Sequence, residues 1–379
     1  MHIADVTLFF APHSGGVKRY LLAKHAHYAQ RAGVRHSLVV PGAKTVEIEP
    51  GIFSLASARI PLAGGYRAPL RPWQWRKWLA DLAPDLIEVG DPYHLAWAAL
   101  DAAKDCGAAT AAFAHSDLPR MLASRFGPFA GRAADRYLRK LYSHFDMVQA
   151  PSRLIAERLR RSGIERVIVQ PLGVDGEIFH PARRKGLLRA QLGLAADTRL
   201  LIFAGRMARE KQIPLLMDAF ARLGTPYHLV IVGGEIRQRL SVNVTLLPYE
   251  HDSLRLARLL ASADALVHAG AQETFGMVVI EAMACGLPVV GVRGGAVPEL
   301  VDESVGALAN PGDAESLADA VDSLYERDIA QMGAAARLRV ERRYAWPSTF
   351  ALQLDRYVRL RRRELDPAIE SVADIAGVP

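Results

Sequence analysis

The sequence predicts an α/β fold of parallel, doubly wound sheets shared between two domains. Three observations carry this. The chain has 379 residues, and at ~150 residues per domain it exceeds a single core. Short apolar runs of strand length recur with helical stretches between them, the alternation of βα units that builds a parallel sheet. Several of these runs stop at glycine just before a helix, the edge where such sheets take their ligands. Half the residues are apolar and 23% are charged, which excludes a disordered chain. No apolar run reaches the ~18–20 residues of a membrane span.

The first strand is placed at Val6–Phe10. It enters the loop Ala11-Pro-His-Ser-Gly-Gly-Val17, and a helix follows over Lys18–Arg31. Gly15 and Gly16 at this strand-to-helix turn let a ligand approach the backbone. No basic segment or cleavage pattern precedes the strand, so no secretory leader is expected. Further strands are expected at Ser37–Val40, Leu86–Val89, Ala111–Ala114, Met147–Ala150 and Val167–Val169, with helices at His94–Lys104 and Pro151–Ser162. His115 follows one strand end, where a histidine either meets a ligand or caps a loop.

Net charge is +7. Residues 1–180 carry 23 Lys and Arg against 16 Asp and Glu, and the remaining residues carry 24 of each. The whole excess therefore lies in the first half and suits an anionic partner. Two segments mix cations with large apolar side chains: Tyr66–Trp78, with three tryptophans, and Pro119–Phe145, with Arg120, Arg125, Arg132, Arg136, Arg139 and Lys140. Such segments either seat on an anionic bilayer or pack their aromatics inward. Cys106 and Cys285 stand apart in helix-end contexts, which points to a reducing cytoplasm and no metal cluster.

In the second half a short helix is expected at Arg183–Leu192 and a buried strand at Leu200–Ala204. The strand ends in Gly205-Arg206-Met-Ala-Arg-Glu-Lys211, and the next helix begins near Pro214. Two cations five residues apart on one loop can converge on a diphosphate, Arg206 in bidentate fashion and Lys211 as a point charge. Strands at His228–Val232 and Asn243–Leu246, a helix at Ser253–Ala261 and a strand at Ala265–Val267 lead to Glu273-Thr-Phe-Gly-Met-Val-Val-Ile-Glu281. A helix starting near Phe275 and ending at Gly286 is expected here, followed by the apolar run Pro288–Val292. Its first N–H groups, around Gly276, Met277 and Val278, hold partial positive charge and suit a phosphate. Glu273 and Glu281 frame the helix start and are acceptors for hydroxyls. A last helix is expected from Pro347 to Arg363, then a tail or short helix over Asp366–Pro379. No zinc, Ser-His-Asp or Walker pattern is present.

The string His268-Ala-Gly-Ala-Gln-Glu-Thr-Phe-Gly, then Glu-Ala-Met-Ala-Cys-Gly-Leu-Pro-Val-Val, then Gly294-Gly-Ala-Val-Pro-Glu-Leu-Val resembles the E-x7-E region of retaining GT-B type glycosyltransferases of family 4. Gly205–Lys211 resembles that family's Gly-Arg-x-x-x-x-Lys loop, and Gly173-Val-Asp its crossover between domains. The resemblance implies two Rossmann-like domains facing across a cleft: an acceptor-side domain over 1–172, a nucleotide-sugar domain over 173–345, and a C-terminal helix with tail over 346–379 crossing back to the first.

The same resemblance implies site roles. Arg206 and Lys211, after Gly205, neutralise the departing diphosphate. The N–H groups at Phe275, Gly276, Met277 and Val278 support phosphate or sugar. Glu273 accepts from sugar hydroxyls and Glu281 from the ribose. Gly15 and Gly16 border the donor, and His115 touches the transferred sugar. The reaction retains the anomeric configuration, needs neither metal nor other cofactor, and uses a nucleotide-diphosphate sugar, uridine favoured over guanosine from family frequency alone. The acceptor is a glycan or lipid at the cytoplasmic membrane face, with peripheral contact to anionic lipid and no nucleic acid. A phosphorylase or epimerase on the same fold, or a nucleotide-sugar binder without turnover, are the alternatives. The chain departs from the family at Gln212, where glycine is usual, and in the short region after Gly233.

Overall fold

A computed structural model describes residues 1–11, 15–61 and 64–367. Part of the first loop, residues 12–14, and the expected tail from residue 368 onward lie outside the described residues. The chain divides into two compact units, Met1–Pro171 with Thr349–Pro379, and Leu172–Ser348.

The first unit holds the strands β1 (His2–Val6), β2 (Arg35–Gly42), β3 (Val46–Glu49), β4 (Ile52–Ala56), β5 (Ala58–Arg59), β6 (Arg67–Ala68), β7 (Leu86–Val89), β8 (Ala109–Phe113), β9 (Met147–Ala150) and β10 (Val167–Val169). Its helices are α1 (Gly16–Ala29), α2 (Pro72–Leu82), α3 (His94–Cys106), α4 (Leu118–Phe126), α5 (Pro128–Tyr142) and α6 (Arg153–Arg161). Eight strands form one sheet in the order β10-β9-β8-β7-β1-β2-β4-β3, parallel except where β3 turns back on β4. From β1 the chain winds outward to β2 and β4, then returns to β7 on the other side. The reversal leaves a crevice between the C-terminal ends of β1 and β7, where doubly wound sheets bind ligands.

The first strand lies earlier than the apolar run Val6–Phe10 suggests. All five residues of His2–Val6 are buried, but two are polar and hide the strand from a hydrophobicity reading. His2 Nε2 meets Ser37 Oγ at 2.9 Å. Asp5 and Glu88 are paired in register across β1 and β7, and the Lys24 ammonium from α1 reaches them at 2.9 and 2.8 Å. All three are fully buried. Isolated, such charges would each cost several kcal/mol; together they compensate.

The second unit holds β11 (Arg199–Ala204), β12 (Tyr227–Gly234), β13 (Gln238–Ser241), β14 (Val244–Pro248), β15 (Ala265–Val267), β16 (Val289–Val292) and β17 (Gly306–Ala309). They form one sheet in the order β13-β14-β12-β11-β15-β16-β17. Its helices are α7 (Leu188–Leu192), α8 (Ile213–Leu223), α9 (Ser253–Ala261), α10 (Met277–Ala284), α11 (Val297–Leu300), α12 (Ala314–Tyr325) and α13 (Ile329–Arg343). Here too the winding reverses, between β11 and β15. The core is the near-continuous apolar face of a parallel sheet, with Leu201, Phe203, Leu229, Ile231, Val267 and Val290 all buried.

Helix α13 was not expected from the sequence; its buried positions are Met332, Gly333, Ala336 and Val340. A Cβ at Gly333 would lie 2.1 Å from the Gly286 carbonyl oxygen, so glycine lets this helix pack against the end of α10. The last helix, α14 (Trp346–Arg361), passes into the first unit. There the Tyr357 oxygen accepts from Lys24 at 3.0 Å while its hydroxyl donates to Glu88, and Gln353 donates to Gln149 at 2.9 Å.

Of the three tryptophans in the 66–78 segment, Trp75 is in the core and Trp78 packs on Phe53 with ring centroids 5.0 Å apart. Trp73 is exposed. Helix α4 has no buried residue, and Met121, Phe126 and Phe129 are exposed beside Arg120, Arg125 and Arg132.

Candidate active site

The reversal point of the second sheet brings two loops together. One leaves β11 through Gly205 and Arg206 and closes into a single helical turn over Arg209–Lys211. The other leaves β15 through His268 and runs to Glu273 and α10. Lys211 Nζ forms an ion pair with Glu273 Oε1. His268 Nε2 lies 3.0 Å from the same oxygen, an approach that is close but not aligned as a full hydrogen bond. Burial pushes the Glu273 carboxyl up, but contact with His268 and the charge of Lys211 outweigh it and hold the group well below the usual carboxylate range. Glu273 is thus an anion at every working pH.

Both loops are shaped by close backbone approach. Gly295 packs so tightly on Glu273 that a Cβ would lie 2.7 Å from its backbone nitrogen, and the Ala296 N–H donates to the Glu273 carbonyl at 2.9 Å. Gly276 takes φ +100°, ψ 56° as the cap before α10, a conformation that glycine alone adopts without strain. Gln212 also stands in the left-handed region, at φ 54°. This is the position where the family resemblance leads one to expect glycine, and the side chain meets the strain by bonding the Arg209 carbonyl at 3.1 Å.

Helix α10 begins two residues later than expected, at Met277. The N–H groups of Met277 and Val278 therefore stand in the first turn, without partners inside the helix. Phe275 lies in the preceding turn and packs edge-on against Tyr344, ring centroids 5.8 Å apart. Its side chain is buried, so a contribution to ligand binding falls to its backbone. Glu281 is enclosed within the unit, 1% exposed; the expected acceptor for a ribose is not presented at the surface. Arg206 is exposed and has no ion-pair partner among the described residues.

The expected residues of the first half lie in the other unit. Gly15 caps α1 and Gly16 opens it, beyond the C-terminal end of β1. His115 follows β8, stacked face to face on Phe113 at 4.2 Å. Burial, aided by the Lys24 charge, lowers its pKa to about 3, so the ring is neutral and can share hydrogen bonds without carrying charge. Asp91 was not among the expected residues. It accepts from the Leu8 N–H at 2.6 Å and the Thr7 hydroxyl at 3.2 Å, pinning the start of the first loop to the end of β7. Its signal, an acid one residue past the glycine that ends a strand, is too common to single out.

A sheet reversal carrying a cation loop and a helix start, in a chain of two Rossmann-like units, defines the class: a GT-B type glycosyltransferase. Residues 185–339 match the family model described as glycosyl transferases group 1, and residues 14–177 match glycosyltransferase family 4. The chain belongs to this family. It is 32% identical over 90% of its length, and 92% of the relative's, to a GDP-mannose-dependent α-(1-6)-phosphatidylinositol dimannoside mannosyltransferase of Mycobacterium tuberculosis. It is 34% identical to a GDP-mannose-dependent α-mannosyltransferase of the same species, over 75% of each chain. Among solved structures, sucrose-phosphate synthase from Thermosynechococcus elongatus superposes with a TM-score of 0.80 at 22% identity, over 96% of this chain and 100% of that one. HepE of Anabaena, in complex with UDP, gives 0.75 at 21%, over 94% and 99%. These two bear on the fold alone. The names of the sequence relatives run against the uridine donor expected from family frequency.

Proposed function

We propose that this enzyme transfers a mannosyl residue from GDP-mannose, with retention of configuration, to a mannosylated lipid acceptor. The observation that carries it is the pairing of Lys211 with Glu273, ahead of the start of α10 at the reversal point of the second sheet, in a chain whose relatives over most of its length are named for GDP-mannose. Guanosine replaces uridine on the strength of those names.

Negative charge grows on the leaving diphosphate as the anomeric bond breaks. Lys211, Arg206 and the N–H groups of Met277 and Val278 stabilise that charge, a role for which fixed donors cost no reorganisation. Glu273, ionised and anchored, accepts from hydroxyls of the sugar and fixes its face. The leaving phosphate then takes the proton of the acceptor hydroxyl, which attacks on the side the diphosphate leaves. Because cations and dipoles supply the stabilisation, no metal is required.

The acceptor-side unit sits peripherally on anionic lipid. Exposed Phe126, Phe129 and Trp73 among arginines support this. No helix among the described residues is long and apolar enough to cross a membrane. The test is turnover of GDP-mannose with a phosphatidylinositol mannoside in vesicles, with and without chelator. Product with an α-linkage in both arms is expected. Strict dependence on added metal, or transfer from UDP-glucose alone, would overturn the proposal. Co-sedimentation that ignores anionic lipid content would remove its membrane part.

A further inference from the structure

We infer that His268 is a positioning residue for Glu273, acting through one imidazole tautomer to hold the carboxylate in place when Lys211 turns to the donor. The inference rests on the donor-site assignment above and adds a residue to it.

The ring is fully buried, 0% exposed. The Gly270 N–H donates to its Nδ1 at 3.2 Å. A nitrogen that accepts cannot also carry a proton, so in the neutral ring the proton sits on Nε2. That nitrogen faces Glu273 Oε1 at 3.0 Å. Gly270 is suited to this bond by its proximity: a Cβ there would lie 2.8 Å from His268 Cε1. One backbone N–H thereby fixes the tautomer, and the tautomer turns an Nε2–H toward the carboxylate at 3.0 Å.

The arrangement matters because Lys211 has two calls on its charge. It pairs with Glu273, and a donor's diphosphate would compete for it. If Lys211 were the carboxylate's only contact, Glu273 would follow it or lose its setting. His268 supplies a second contact that the donor does not compete for. The groups that act most strongly on the Glu273 carboxylate are His268, on the loop after β15, and Lys211, on the turn before α8.

The experiment uses the full chain with selectively labelled histidine and glutamate. Long-range proton–nitrogen correlation is expected to show His268 as the Nε2–H form. The Glu273 side-chain carbon is followed through pH in wild type, His268→Leu and His268→Gln. Loss of the donor should raise the Glu273 midpoint by ~1 pH unit or more, and Gln, which keeps an N–H within similar reach, should bring it back. In turnover the Leu variant should lose about tenfold in kcat and the Gln variant should recover it. An Nδ1–H tautomer, or a Glu273 midpoint unchanged in folded His268→Leu, would overturn the inference. If the Leu variant fails to fold, the wild-type tautomer and the Gln variant decide. Absence of any donor turnover would remove the donor-site assignment but leave the tautomer and carboxylate measurements to decide this one.

Discussion

Lys211 and Glu273, 62 residues apart in the chain, close an ion pair at the point where the second sheet reverses its winding. Both side chains are mostly shielded, 17% and 16% exposed. The pair therefore stores a cation where the diphosphate is expected, with its carboxylate partner anchored independently.

Replacing Lys211 by Ala removes that cation. Turnover is expected to fall ~10²–10³-fold, as for loss of one preorganised donor in other enzymes. Stability should change little, because His268 still contacts Glu273. Steady-state kinetics and thermal unfolding on the same preparation separate the two effects.

The buried trio of the first unit behaves differently. Lys24→Met leaves Asp5 and Glu88 side by side with no cation, and breaking such a pair costs about 3–5 kcal/mol. It also removes a partner of Tyr357, so α14 should loosen. Urea unfolding reads the first effect. Hydrogen exchange over residues 349–361 reads the second.

Acid should destabilise the protein well before its carboxylates are fully protonated. Burial lowers the pKa of His2 and His228 to about 4 and of His115 to about 3. An unfolded chain binds these protons from pH 6.5 downward and the folded one does not, so stability falls as pH drops through that window. Asp91 works the other way: burial raises its pKa to about 6, and the folded state takes its proton first, which offsets one histidine. His115→Phe keeps the stack on Phe113 and should remove about 2 kcal/mol of the acid penalty at pH 5. Unfolding midpoints between pH 5 and 7 test this; an unchanged slope would contradict it.

Much of the parallel architecture was readable from residues. Val167–Val169 and Ala265–Val267 are continuous apolar runs, Met147–Ala150 is broken only by Gln149, and the bounds of all three match the structure. β1 was misplaced because His2 and Asp5 are polar in a core that satisfies them from distant residues. α13 was missed because only two of its buried positions, Met332 and Val340, are large apolar residues. At the site, the Arg206–Lys211 loop and the glutamates stood out by type and spacing. The enclosure of Glu281, the inward turn of Phe275 and the contact of His268 with Glu273 depend on tertiary packing. A donor base leaves no local signature, and the uridine lean had no residue behind it.

The most direct test of the central claim is calorimetric titration of GDP-mannose into the wild-type protein and into Lys211→Ala, with UDP-glucose as the competing donor. The account predicts binding of GDP-mannose to the wild type, at least tenfold weaker in the variant, and little or no binding of UDP-glucose. GDP-mannose binding of equal strength in both proteins would place the diphosphate elsewhere and contradict the account.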